Sequence, residues 1–301
     1  MAETVMTRPA PAAAATTEPT APRYRRGQRS RLASVLLHAT LITASTISLF
    51  PIVWVLVSSF KPGYAVQSTE ISLVRDPTLA NYHYVLTETN FPRWFANSVL
   101  VAAFTTLIGV FLSATTGYAA SRFAFPGRRA LLWVFLVTQM LPVAVLIVPI
   151  YMIMSRLGLI NSLASLVIAY LTVAVPFCAW MLKGYFDTIP RDLDEAAALD
   201  GLGPFATFWR VVLPLARPGL AVTGFFSFLT AWGEVAYASA FMQTDEKFTL
   251  AYGLQQFVPQ YNPQWEYLTA AAVLVTVPAG VVFFFAQRHL VSGLTAGGTK
   301  G

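Results

Sequence analysis

The sequence predicts an all-α polytopic membrane protein with six transmembrane helices. Composition carries the first argument. Of 301 residues, 56% are hydrophobic and only 11% charged, whereas a soluble domain carries about 25% charged residues. The second argument is spacing. Six apolar runs each reach the roughly 20 residues that a helix needs to cross about 30 Å of hydrocarbon. The third is placement of charge. The net charge of +6 comes from basic residues that flank apolar runs, which is a membrane-orientation signal. No nucleic-acid partner is expected.

The elements follow in chain order. Residues 1–34 read as a disordered basic segment. The first 22 or so are rich in Ala, Pro and Thr and lack the apolar side chains that would bury a core. Arg23, Arg25, Arg26, Arg29 and Arg31 follow. The run Leu32 to Phe60 is too long for a signal peptide and shows no clear small-residue cleavage site. It reads as the first span and contains Pro51. A mixed polar loop leads to a second span from Asn97 to about Ala120. Ala130 to Met154 is a third, with Pro142 and Pro149. Leu163 to Leu182 is a fourth, with Pro176. Leu215 to Phe241 is a fifth, and Leu268 to Phe285, with Pro278, a sixth. The six-helix domain covers 35–290, with a cytoplasmic loop at 183–214 and a tail at 291–301. The prolines fit static kinks for packing and bend points of a gate equally well, since membrane helices tolerate proline in either role.

Six spans put both termini on one side. Lys and Arg fix which side. Arg23 to Arg31, Arg122, Arg128, Arg129, Lys183, Arg191, Arg210, Arg217, Arg288 and Lys300 lie on the face of the termini. Only Lys61, Arg75, Arg93, Arg156 and Lys247 lie on the other. The positive-inside rule places both termini and the 183–214 loop in the cytoplasm.

That loop is a polar island. Asp192, Asp194 and Glu195 open a run of helix formers, which suits the positive end of a helix dipole. Gly201 stands where a helix stops in a left-handed turn. Pro204 opens a second short helix, and Pro214 is expected to bend or end it. The loop resembles the EAA loop of ABC-importer permease subunits. Glu195, Ala196, Ala197, Asp200, Gly201, Val211, Leu213 and Pro214 match that pattern; Leu202 and Val211 stand where alanine and isoleucine are usual. An ordinary helical hairpin is the plain alternative, but motif and membrane context agree. The resemblance extends from about Val35 to Gly301. Phe50-Pro51 to Phe60-Lys61-Pro62, Asn97-Ser98, Tyr118 to Phe123, Leu157 to Ser162, Lys183 to Phe186, Leu250 to Gln256 and Gly293 to Gly301 are similar to sugar-importer permeases. They are most similar to the shorter permease of maltose and maltodextrin systems.

The resemblance implies an ABC importer type I permease fold in a bacterial or archaeal cytoplasmic membrane. It implies coupling to a separate ATPase through Glu195, Ala196, Ala197, Asp200, Gly201, Leu213 and Pro214. It also implies an ATPase-contacting tail with Thr295, Gly297, Gly298 and Lys300. The implied partners are a second, different permease, two copies of a cytoplasmic ATPase that bind ATP and Mg, and an extracytoplasmic sugar-binding protein, with membrane lipid around the spans. The outer stretch Gln243 to Tyr267 corresponds to a loop that reaches into the binding protein. Its Gln255, Gln256, Gln260, Tyr261 and Asn262 suit sugar hydroxyls; a solvated spacer is the alternative. In maltose systems the membrane sugar site lies mainly in the other permease, so no substrate residue is assigned within these spans. Alternatives are a permease for another di- or oligosaccharide or for glycerol phosphate, and a secondary carrier.

Catalytic and metal chemistry find no residues. There is no phosphate-binding Gly-x-x-x-x-Gly-Lys-Ser/Thr motif, so a transporter of this kind must borrow its ATPase; neither a cofactor nor an enzymatic activity is expected of this chain itself. There is no paired-cysteine or His-Glu-x-x-His metal site. His38, His83 and His289 lie far apart, and Cys178 sits alone in an apolar run. Glu234 is the one carboxylate well inside an apolar stretch. Such a group faces a cavity or a partner, so it is a candidate pathway or gate residue; a helix–helix hydrogen bond or an interfacial position near the outer surface is the competing reading.

Overall fold

The structure is a computed structural model and describes residues 31–66 and 76–296. The N-terminal segment before Arg31 and the tail positions Gly297, Gly298 and Lys300 lie outside the described residues. Among those described, all regular structure is helical: α1 (Arg31–Ser58), α2 (Gly63–Val66), α3 (Ala80–Thr87), α4 (Phe91–Arg122), α5 (Arg128–Met140), α6 (Val143–Arg156), α7 (Leu163–Asp187), α8 (Asp192–Leu199), α9 (Pro204–Thr207), α10 (Leu213–Leu215), α11 (Arg217–Trp232), α12 (Ala236–Phe241), α13 (Leu250–Gly253) and α14 (Trp265–Ala296).

Contacts divide the chain after Pro51. The part before it belongs to α1, whose apolar window has no buried residue. A helix this apolar and this bare is built for lipid or a partner helix. The second unit holds everything from Ile52 onward. Its centre is α4 packed on α7, with α11 against both and α14 against α11. Close approach of α4 and α7 depends on Gly117. A β-carbon there would stand 3.0 Å from the Ala179 carbonyl oxygen and 3.0 Å from the Lys183 nitrogen. Both are backbone atoms and cannot rotate away.

Two apolar clusters fill this unit. One gathers Trp94, Tyr170, Trp232, Tyr237, Phe241 and Leu250 around the start of α4. The other gathers Tyr118, Leu182, Phe186, Phe208, Val212 and Ala216 around its end.

Four helices, α1, α4, α7 and α14, are long and apolar enough to cross a membrane, and the total reaches six when two bent pairs each count as one span. The bends correct two expected elements. The third run is not one helix: α5 and α6 meet at 109°. Leu141 and Pro142 are extended there, with ψ of 124° and 138°, because proline drives the residue before it out of helical conformation. Pro51, Pro149, Pro176 and Pro278, by contrast, sit inside continuous helices. The fifth run begins with an 83° bend between Leu215 and Arg217. It breaks again after Trp232, leaving α12 as a separate helix.

Replacing Gly117 by valine overpacks the α4–α7 contact and is expected to destabilise the protein by about 1–3 kcal/mol. Thermal unfolding in detergent measures this. An unchanged midpoint would mean that the two helices do not hold each other at this distance.

Candidate functional site

The loop between α7 and α11 is built from the bottom up by turn chemistry. Asp192, Asp194 and Glu195 occupy the first turn of α8, where acids meet the unpaired N–H groups. At its other end Gly201 takes φ +82°. The Gly201 N–H donates to Ala198 and the Leu202 N–H to Ala197, at 3.0 and 2.9 Å. This pair of bonds is a Schellman termination. Pro204 opens α9 as the sequence predicts. Pro214 stands one residue before the helix ends at Leu215 and the chain bends by 83°, as expected. It stands in the first turn of α10, directly after a π-helical turn over Phe208–Val212. The widened turn carries the chain past a proline that has no N–H to give.

The matched residues divide by face. Ala197 is buried; Glu195, Ala196, Asp200, Gly201 and Pro214 are exposed; Leu213 packs against the second apolar cluster. Two large apolar side chains flank the glycine turn in the open: Leu199 is 91% exposed and Phe205 72%.

A polar cluster that the sequence reading passed over locks this loop to the end of α4. Arg122 pairs with Asp194 at 2.9 Å, with side chains only 6% and 21% exposed. Arg122 also donates to the Ile189 carbonyl at 3.0 Å, and Arg191 donates to the Ser121 carbonyl at 2.9 Å. Ser121 donates to Asp187 at 2.7 Å, which also takes Lys183 at 2.5 Å. Tyr118 donates to the other Asp194 oxygen at 3.3 Å. The signal was present in Tyr118 to Phe123, part of the family resemblance, but with no role attached. A cleft of ≈ 270 Å³ lies beside the pair, lined by Tyr118, Arg122, Arg191, Glu195 and Leu202 among others.

The other end of α4 holds the stretch from Gln243 to Tyr267. The Asn97 amide donates to the Glu246 and Phe248 carbonyls, both at 2.9 Å. Trp94 donates from its indole to the Asp245 carbonyl at 2.9 Å, and Ser98 accepts the Leu250 N–H at 2.7 Å. Asn90 bonds Asp245. Asn161, at φ +59°, accepts the Gln243 N–H at 3.0 Å. Gly253 is required because a β-carbon would fall 2.4 Å from the Trp94 ring. On this base, Gln255, Gln256, Gln260, Tyr261 and Asn262 are all exposed, Tyr261 at 90%. Phe257 is buried beneath them, and its carbonyl accepts the Gln264 N–H at 2.7 Å. A polar cleft of ≈ 470 Å³ opens here, lined by Glu88, Asn90, Asp245, Gln256 and Gln264 among others.

Glu234 is not at mid-helix. It lies in the break between α11 and α12, and its carboxylate accepts the Tyr237 and Ala238 N–H groups at 2.8 and 3.3 Å. It therefore starts α12 as an N-terminal cap does. Among the described residues no His, Cys, Asp and Glu cluster suits a metal ion. Thr295 lies on α14, which runs to Ala296.

Residues 109–296 match the family of binding-protein-dependent transport system inner membrane components. The chain belongs to that family. It is 36% identical over 91% of its length to the maltodextrin transport system permease protein MalD of Streptococcus pneumoniae (strain ATCC BAA-255 / R6), covering 98% of that protein. It is 35% identical over 88% of its length to the galactooligosaccharides transport system permease protein GanQ of Bacillus subtilis (strain 168), covering 96% of it. In fold it is similar to a chain from a bacterial ABC transporter involved in the import of the acidic polysaccharide alginate. The TM-score is 0.76 at 22% identity, over 87% of this chain and 98% of that one. The chain is thus a multi-pass membrane component of a transport system and not an enzyme.

Replacing Arg122 by glutamine leaves Asp194 without its charge partner. Breaking a buried pair costs about 3–5 kcal/mol; with Asp194 partly wet, the expected loss is about 2 kcal/mol. Thermal unfolding reads it, and removing both charges together, Arg122→Leu with Asp194→Leu, is expected to recover part. A single substitution without effect would make the pair incidental.

Proposed function

We propose that this permease is one half of the translocation pathway of a binding-protein-dependent ABC importer for maltose or maltodextrins. The observation that carries the reading is the α8–α9 elbow. It is fixed internally by a glycine turn and a buried ion pair, yet presents Leu199 and Phe205 bare at its tip. A rigid apolar knuckle of this kind is a docking surface. Its partner is a separate cytoplasmic ATPase, present in two copies and supplying ATP and Mg chemistry that this chain lacks. A second, different permease completes the pore, and an extracytoplasmic sugar-binding protein delivers the solute. Both termini and the elbow lie in the cytoplasm, in agreement with the distribution of Lys and Arg. The tail, including Thr295, Gly297, Gly298 and Lys300, meets the ATPase pair.

The sugar assignment draws on the named relatives, which carry maltodextrin and galactooligosaccharides in their names. The second relative supports an alternative: another oligosaccharide of similar size. Glycerol phosphate and a secondary carrier have no specific support. Identifying the ligand on the co-purified native binding protein decides among the sugars, and uptake with and without the ATPase decides against a carrier.

Gly201→Val tests the elbow. A β-branched residue at positive φ is penalised by about 1–2 kcal/mol, and no neighbour lies within 4 Å of the new β-carbon. The change therefore acts on the turn and not on packing. Membrane insertion is expected to survive while ATPase co-purification and transport fall. Normal transport by this variant would reject the coupling role.

The exposed outer loop is proposed to enter the binding-protein cleft and compete with bound sugar, which biases release toward the pore through differential affinity. Shortening residues 258–262, which spares the buried Phe257, is expected to leave assembly intact and labelled sugar retained on the docked binding protein. Normal release would reduce the loop to a spacer.

A further inference from the structure

The link between α4 and α5 carries a cluster of positive charge that neither the coupling nor the outer-loop reading uses. A cleft of ≈ 700 Å³ opens there, lined by Phe125, Gly127, Arg128, Arg129, Leu132 and Lys183 among others. Three cations from two helices face one space. The single acid nearby, Asp187, is already bonded to Lys183 at 2.5 Å and to Ser121 at 2.7 Å. Arg128 donates to the Phe123 carbonyl at 3.5 Å. Arg129 is exposed and makes no ion pair among the described residues.

The charges also have the wrong sign for their position. Arg128 and Arg129 open α5, which has no acid in its first turn and no side-chain cap. A helix start is positive and favours anions. An anion in the cleft would satisfy the arginines and the open N–H groups together.

Placement says which anion. The cleft lies between the end of one membrane helix, α4, and the start of the next apolar helix, so it sits at the rim of the hydrocarbon whichever way the chain is oriented. Phe123 and Phe125 are exposed beside it, as aromatic side chains are at membrane interfaces. Above it, α5 has no buried residue and exposes Trp133, Val134 and Val137. Basic rim and apolar wall are continuous. Basic pockets between membrane helices hold anionic headgroups in this manner.

We propose that this cleft holds the phosphate of an anionic phospholipid, whose acyl chains lie along α5. The site is independent of the sugar carried and of the ATPase contact.

The test uses the full chain in nanodiscs made from an equal mixture of phosphatidylglycerol and phosphatidylcholine, with retained lipid counted by native mass spectrometry after detergent extraction. The unmodified chain is expected to retain phosphatidylglycerol selectively. Arg129→Gln, exposed and outside the folded core, is expected to lower that selectivity by about fivefold, the factor one basic residue supplies near an anionic surface. Arg128→Gln with Arg129→Gln should abolish it, and Arg129→Lys should keep it. Equal selectivity in the glutamine variants overturns the site. Displacement of the lipid by added inorganic phosphate would assign the cleft to a soluble anion and overturn the lipid assignment. No selectivity in the unmodified chain overturns the site too.

Discussion

The fold depends on one long contact, α4 against α7. α4 is a single helix of 32 residues, about 48 Å at 1.5 Å per residue. Its first turns hold the outer stretch through Trp94, Asn97 and Ser98. Its last turns hold the α8–α9 elbow through Tyr118, Ser121 and Arg122. α7 packs along it, and near its end Gly117 lets two backbones touch. The two surfaces proposed to meet partners are thus fixed to opposite ends of one rod. Movement imposed at one end has a stiff element to travel along.

Two of the spans around that rod are broken, whereas α1, α7 and α14 are continuous. α5 and α6 part at Pro142, and α11 and α12 at Glu234. Irregular backbone at membrane depth survives only where its polar groups find partners. At Glu234 the carboxylate provides them for two N–H groups. The carboxylate read as a candidate pathway residue thus also has a structural task at the start of α12.

What the sequence made legible was local chemistry. Gly201 and Pro204 announced a turn and a helix start, and both stand where expected, because φ and N–H constraints act within a few residues. The apolar runs were legible because lipid demands length. The breaks within runs were not. Pro142 and Pro149 look alike in sequence, yet one breaks a helix and the other sits inside one, since neighbours decide the outcome. The Arg122–Asp194 pair was illegible for another reason: its members are 72 positions apart and each alone reads as a surface charge. Asn97-Ser98 carried family resemblance without a role until folding placed it under Phe248 and Leu250.

The central claim is that α4 carries both working surfaces as one body. Spin labels at Asp192 and Gln256, both exposed, report the distance across it when Cys178 is replaced by serine. The pair is measured in the assembled transporter with and without trapped nucleotide. The account predicts one narrow distance that shifts by no more than about 2 Å, the scale of packed helices sliding. A shift of about one helical turn, 5 Å or more, would show that the outer stretch and the elbow move separately, and would contradict it.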